Sequence, residues 1–395
     1  MPPLFTAKFL RNPQLNRVSQ LMDATRLIQR TLAGLTARAN QPVGPNATQP
    51  TRPARQDARR NGLVIDAVLR EINADDSAQD SVPPASPFTA RTGQEGDSHA
   101  PRPAPATFKS DVFANEGISW PYRLYTPPGT HDEPLPLIVL LHGCTQTATD
   151  FALGTAMNDL AEQKKCYVLY PEQIQRANSS RCWNWFEPGN QQRGRGEPGM
   201  IAALVQEVMA TRKVDASRVY VTGLSAGGAM AAVMAGLYPD VFAAVGVHSG
   251  LPCGAAHDIP SAFNVMRSGN PPRATGRTKT ANAMPTIVFH GTADKTVHPD
   301  NGEHIVTAAV KAAQSSGVTL VRHEIRQDGG SARAATRTRY TAMDGTPWVE
   351  HWEVDSGPHG WSGGDTAGSY TDPTGPSASG AMLEFFLRHR LASAG

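Results

Sequence analysis

Apolar positions along this chain change their spacing from one stretch to the next. Leu15, Val18, Met22, Ile28, Leu32 and Leu35 recur near helical spacing, with Arg11, Arg17, Arg26 and Arg30 beside them and only Asp23 acidic before residue 40. That pattern predicts a basic amphipathic helix, read either as an attachment to an anionic or apolar surface or as a helix packed on the domain. Its Arg-rich, acid-poor composition is also that of an organellar transit peptide. Residues 40–60 and 75–105 are dominated by Pro, Ala, Ser, Gly and Arg and read as disordered linkers around a short apolar island at 63–72. From residue 107 onward the pattern is that of a folded domain, so the chain divides into an extension, 1–106, and a globular part, 107–395.

Within the globular part, 108–113 and 118–125 read as an antiparallel pair of strands around a turn at 115–117. A continuous apolar run at 137–141 reads as a strand covered on both faces, and 166–170, 219–221, 242–248, 286–290 and 349–354 read as further strands. Helical patterns fall near 155–163, 198–211, 301–315 and 377–390. Alternation of strands with helices predicts an α/β fold, a mostly parallel central sheet with helices on both faces and right-handed crossovers. The segment 254–283, rich in Ser, Gly, Pro and Arg, reads as an insertion, either a lid or a surface loop.

Candidate chemistry concentrates where strands end. Thr222, Gly223, Leu224, Ser225, Ala226, Gly227 and Gly228 link a strand to a small-residue helix, and the GxSxG spacing suits a serine on a strained turn with its hydroxyl exposed. Serine is a poor nucleophile unless a histidine takes its proton and a carboxylate orients that histidine. Asp294, ending the turn after the strand at 286–290, is the candidate acid. Asp300 is its rival, read as a helix cap. His359, between Pro358 and Gly360 beyond the strand at 349–354, is the candidate base, with His248 as its nearest competitor. The oxyanion donors expected are the backbone N–H groups of Ala226 and of Cys144, with Thr145 as an alternative to Cys144. His142 is read as bracing that turn. Trp183, Trp185, Phe186 and Trp361 lie on loops where ligands of α/β sheets bind, and are candidates for substrate contact or for loop core.

Composition changes the picture only by exclusion. A net charge of +2, with 18% charged residues of dispersed sign, gives no footprint for nucleic acid. No apolar run is long enough to predict a transmembrane helix. No histidine or cysteine spacing suggests a metal, and no glycine-rich phosphate loop suggests a nucleotide, so no cofactor is expected. The N-terminus lacks the pattern of a secretory signal, which predicts a cytoplasmic protein. In that compartment Cys144, Cys166, Cys182 and Cys253 would be free thiols, whereas export by another route would allow a disulfide among Cys144, Cys182 and Cys253.

On Leu140 to Gln146, Tyr170 to Gln173, Cys182 to Phe186, Thr222 to Gly228 and His290 to Asp294, the globular part resembles the polyhydroxybutyrate depolymerase family of esterases, within the α/β-hydrolases. The resemblance implies a triad at Ser225, Asp294 and His359, an oxyanion role for the turn at Cys144, and an ester substrate. Feruloyl and acetylxylan esterases are similar in fold and triad, so a polyester and an aryl or acyl ester are both implied as substrate classes. Without a recognised signal or a polymer-binding module, the chain is more similar to intracellular depolymerases, which act at storage granules. A granule-associated binding protein without catalysis is the rival from another class.

Overall fold

The computed structural model describes residues 104–115, 117–271 and 283–391. The amphipathic helix expected at 15–35, the linkers, the apolar island and most of the 1–106 extension lie outside these residues, as do residues 272–282 of the insertion. Among the described residues, no helix is long and apolar enough to cross a membrane.

One ten-stranded sheet organises the fold, with the order β1-β2-β4-β3-β5-β6-β7-β10-β9-β8. Its strands are β1 (Thr107–Asn115), β2 (Ile118–Thr126), β3 (Leu135–Leu141), β4 (Tyr167–Pro171), β5 (Val214–Leu224), β6 (Ala244–His248), β7 (Thr286–Gly291), β8 (Leu320–Gln327), β9 (Ala335–Ala342) and β10 (Pro347–Val354). The six central strands, β4-β3-β5-β6-β7-β10, run parallel, and an antiparallel pair flanks them on each side. Two short strands, β11 (Trp361–Ser362) and β12 (Thr371–Asp372), pair separately.

The continuous apolar run at 137–141 follows from burial on both faces. In β3, Leu137, Val139 and Leu141 point into one core and Ile138 and Leu140 into the other, as a period of two requires. Helices α3 (Gly196–Thr211), α4 (Ala226–Leu237), α5 (Ile259–Ser268) and α6 (Asp300–Ser315) cover the first face through residues such as Ile201, Leu204, Met230, Val265 and Val306. Helices α1 (Ala148–Thr155), α2 (Met157–Lys164) and α7 (Ala378–Phe386) cover the second through Phe151, Met157, Met382 and Phe386. Each such fully buried aliphatic or aromatic side chain contributes about 1.5–3 kcal/mol of transfer free energy.

Register places the strand ends that matter side by side. Leu141 pairs with Gly223, Leu224 with His248, His248 with Phe289, and Gly291 with Val354. The residues that follow β3, β5, β7 and β10 therefore emerge at one edge of the sheet, where α/β folds bind ligands.

Three expectations are corrected. Strands do not alternate with helices throughout: β8 and β9 form a hairpin added antiparallel to β10. β8 is mostly exposed and carries Arg322, His323, Glu324 and Arg326, so it shows none of the apolar periodicity that marks the inner strands. Residues 254–271 are not plain loop, because Asp258 caps α5 in a capping box with Ser261. The thiols are not all free, since Cys144 and Cys182 form a disulfide, leaving Cys166 and Cys253 unpaired.

Candidate active site

Ser225 sits between β5 and α4 at φ 57°, ψ −119°, a region unfavourable to a residue with a Cβ. Its neighbours explain how the turn is held. A Cβ on Gly223 would come within 2.5 Å of the carbonyl oxygens of Gly227 and Leu141, and one on Gly227 within 2.0 Å of the Leu141 carbonyl. Only glycine at both positions lets β5, α4 and the end of β3 approach this closely. The Ser225 N–H donates to the His248 carbonyl at 2.9 Å. Ala226, the first residue of α4, offers an N–H that the helix does not use.

Asp294 and His359 are brought together: His359 Nδ1 lies 2.7 Å from Asp294 Oδ2. The other carboxylate oxygen accepts from the N–H groups of Thr296 and Val297, each at 2.9 Å. His290 Nε2 stands 3.5 Å from Oδ2. Burial alone would raise the carboxyl pKa, but the bonds from His290, His359 and Val297 outweigh it and hold Asp294 well below the usual carboxylate range. The two loops interlock, with Ala293 N–H on the Gly357 carbonyl and Ser356 N–H on Thr292 Oγ1. Neither Ser225 Oγ nor His359 Nε2 has a hydrogen-bond partner among the described residues. Asp300 is exposed in the first turn of α6, where it pairs with His298 rather than with His359.

His248 is a buried scaffold. Its Nε2 accepts the N–H of Ser362 at 2.9 Å, and its ring stacks between Phe289 and Trp361. Burial, with His290 and His359 nearby, pushes its pKa down to about 3, so it stays neutral. Through its carbonyl and its ring it ties the serine turn to the segment carrying His359.

In the turn after β3, His142 Nε2 accepts from Gln173 N–H at 3.0 Å, so its Nδ1 carries the proton and donates to the Gly143 carbonyl at 2.7 Å. Burial lowers its pKa, which suits this neutral brace. Gly143 N–H is taken by Gln146 Oε1 and Thr145 N–H by the Ser180 carbonyl. Cys144 N–H is left without a partner among the described residues, which selects it over Thr145 as the free donor. The turn abuts the serine, since a Cβ on Gly143 would lie 3.7 Å from Ser225 Cβ. The Cys144–Cys182 disulfide anchors this turn to the loop that follows β4.

That loop is held by a group not singled out in the sequence. Buried Glu197 accepts from Gln173 Nε2 at 2.6 Å, Asn184 N–H at 2.7 Å and Asn184 Nδ2 at 2.6 Å. Burial pushes its pKa up to about 7 against those bonds. No local pattern marks Glu197; only the paired amides of Gln173 and Asn184, distant in sequence, give it a role.

The aromatic candidates are mostly core. Trp183 is fully buried with its Nε1–H on the His142 carbonyl, and Trp361 is buried with its Nε1–H on Ser379 Oγ. Trp185 is buried as well, edge-on to the half-buried Phe186. An indole whose N–H finds a partner is stable inside, so the loops fold over these rings rather than displaying them. Of potential metal ligands among the described residues, Glu303, His351 and Glu353 have ligand atoms within 4.8 Å of one another, and they share no residue with the groups above.

Residues 120–340 match the family described as Esterase PHB depolymerase. Poly(3-hydroxyalkanoate) depolymerase C of Paucimonas lemoignei is 38% identical over 234 residues, covering 57% of this chain and 55% of that protein. Feruloyl esterase B of Neurospora crassa is 34% identical over 194 residues, covering 45% of this chain and 65% of its own. The chain thus spans between about half and two thirds of the length of these curated relatives. A solved acetyl xylan esterase from Aspergillus awamori superposes with a TM-score of 0.55 at 20% identity, over 71% of this chain and 99% of that one, a likeness of fold.

Proposed function

Because the chain belongs to the esterase PHB depolymerase family, we propose that it is a carboxylic ester hydrolase acting through an acyl-enzyme on Ser225, with a hydroxyalkanoate polyester or its oligomers as substrate. The observation that carries the mechanism is the 2.7 Å contact of His359 Nδ1 with Asp294 Oδ2, which leaves Nε2 as the basic nitrogen. His359 Nε2 removes the proton of Ser225 Oγ as Oγ bonds to the ester carbonyl carbon. The carbonyl oxygen becomes an oxyanion and receives the N–H groups of Cys144 and Ala226, each worth about 3–4 kcal/mol of transition-state stabilisation in such sites. The carbon–alkoxide bond then breaks and His359 passes its proton to the departing oxygen. A water repeats the sequence on the acyl-enzyme, releasing the acid and returning the proton to Ser225.

The polyester is favoured by the family and by the 38% identity to the Paucimonas lemoignei depolymerase. A feruloyl or acetyl ester is the second reading, supported by the likeness to feruloyl esterase B. The Cys144–Cys182 bond supports an oxidising compartment over the cytoplasm expected from the sequence. The test is to incubate the full-length protein, isolated without reductant, with amorphous poly(3-hydroxybutyrate) granules, hydroxybutyrate oligomers, methyl ferulate and acetylated xylan. Hydroxybutyrate release is the expected outcome. Release of ferulate or acetate alone would overturn the polyester, and silence on all four would leave a binding protein. Alkylation of the same preparation after denaturation should modify Cys166 and Cys253 only; four modified thiols would return the protein to a reducing compartment.

A further inference from the structure

We infer that Tyr370 determines specificity: its ring forms one wall of the ester-binding cleft, spanning from the histidine loop to the oxyanion turn. This deepens the function proposed above and rests on the roles given there to His359 and Cys144.

Tyr370 is held at both ends. Its carbonyl accepts the N–H of Trp361, two residues beyond His359, at 2.7 Å, and a Cβ on Gly360 would lie 3.3 Å from its carbonyl carbon. Its hydroxyl lies 3.1 Å from Thr145 Oγ1. Thr145 Oγ1 donates its proton to the Cys144 carbonyl at 2.6 Å, so the phenol must be the donor to Thr145. The side chain therefore bridges from the residues after His359 to the residue after Cys144. The preceding residue is fixed too: Ser369 donates N–H and Oγ–H to the two carboxylate oxygens of Asp150, at 2.9 and 2.6 Å, and its carbonyl accepts from Gln146 Nε2 at 3.0 Å. Gln146 is the same side chain that holds Gly143 N–H.

Two further observations separate this from an ordinary surface tyrosine. Tyr370 has φ 52° and Thr145 φ 68°, both in the left-handed region, where an aromatic or β-branched residue costs about 1–2 kcal/mol relative to the right-handed one. Closing a turn would be easier with glycine or asparagine, so strain in two joined residues points to a use for the side chains. Among the described residues, moreover, Tyr370 is the one aromatic among the large exposed apolar side chains, at 48% exposure, while Trp183, Trp185 and Trp361 are buried. An aromatic face fixed beside an oxyanion turn suits the apolar part of an ester, on its acyl or its alcohol side.

The test compares wild type, Tyr370→Ala and Tyr370→Phe on p-nitrophenyl acetate, butyrate and hexanoate, and on methyl, butyl and naphthyl acetates. Tyr370→Ala should raise the ratio of KM for the longest member to KM for the shortest about tenfold in at least one series, on top of any change common to all the esters. Tyr370→Phe, which keeps the ring, should retain the wild-type length dependence. A purely structural role would depress all esters alike. Unchanged length dependence in both series for Tyr370→Ala would overturn the inference. A wild type that cleaves these esters but releases nothing from hydroxybutyrate oligomers would sink the polyester reading and leave the Tyr370 comparison decisive.

Discussion

Asp294 keeps its charge in a largely buried place because three donors, His359 Nδ1 and the N–H groups of Thr296 and Val297, converge on its two oxygens. Replacing it with asparagine preserves volume but presents an amide to His359 and removes the charge that would balance a protonated imidazole. For Asp294→Asn, kcat on a soluble ester is expected to fall on the order of 10⁴-fold, with KM held within a few-fold and the circular dichroism unchanged. A loss under tenfold would remove Asp294 from the role assigned to it. At this scale the sequence was readable where a residue type is forced by contact. Gly223 and Gly227 are the clearest case, for backbone oxygens occupy the space of any Cβ. Trp183 and Trp361 were not readable, because a tryptophan on a loop fits a cleft or a core equally well until its N–H partner, the His142 carbonyl or Ser379, is known.

The segment from Gln173 through Glu197 acts as a unit, and its stability should carry a pH signature. The Glu197 carboxyl is raised from 4.5 to about 7 by burial. Between those values the folded state binds more protons than the unfolded one, so this group's contribution to stability is greatest below pH 4.5 and declines as pH rises through 7. The unfolding free energy of the wild type minus that of Glu197→Gln should therefore fall by roughly 3 kcal/mol between pH 4.5 and 7. Denaturant titrations at pH 4.5, 6 and 7.5 check this, and a difference that stays flat or grows with pH would refute it. Taking the difference cancels the opposing trend of buried neutral His248, His351 and His389, whose pKa values are lowered to about 3, 4 and 4 and whose burial costs stability as pH falls. Among elements, inner strands such as β3 and β4 were legible because burial on both faces makes them continuously apolar. The β8–β9 hairpin and α5 were not, since exposed edge strands and a capped helix inside a polar insertion lack that signal.

Across the whole molecule, the register of β3, β5, β6, β7 and β10 does what no single motif can: it delivers Cys144, Ser225, Asp294 and His359 to one edge of the sheet from stretches more than 200 residues apart. The GxSxG turn at Ser225, followed later in the chain by strand-ending turns carrying Asp294 and His359, suggested the set. The clamps that hold it, Glu197 on Asn184 and Asp150 on Ser369, are pairings across distant loops and leave no local trace. Every step of the proposed chemistry depends on Ser225 being the nucleophile. That role is tested most directly by intact-mass and peptide-level mass spectrometry after treatment with a fluorophosphonate. A single phosphonyl adduct is expected on the peptide containing Ser225, formed together with loss of esterase activity and absent in Ser225→Ala. An adduct on another residue, or full inhibition with Ser225 unmodified, would contradict it.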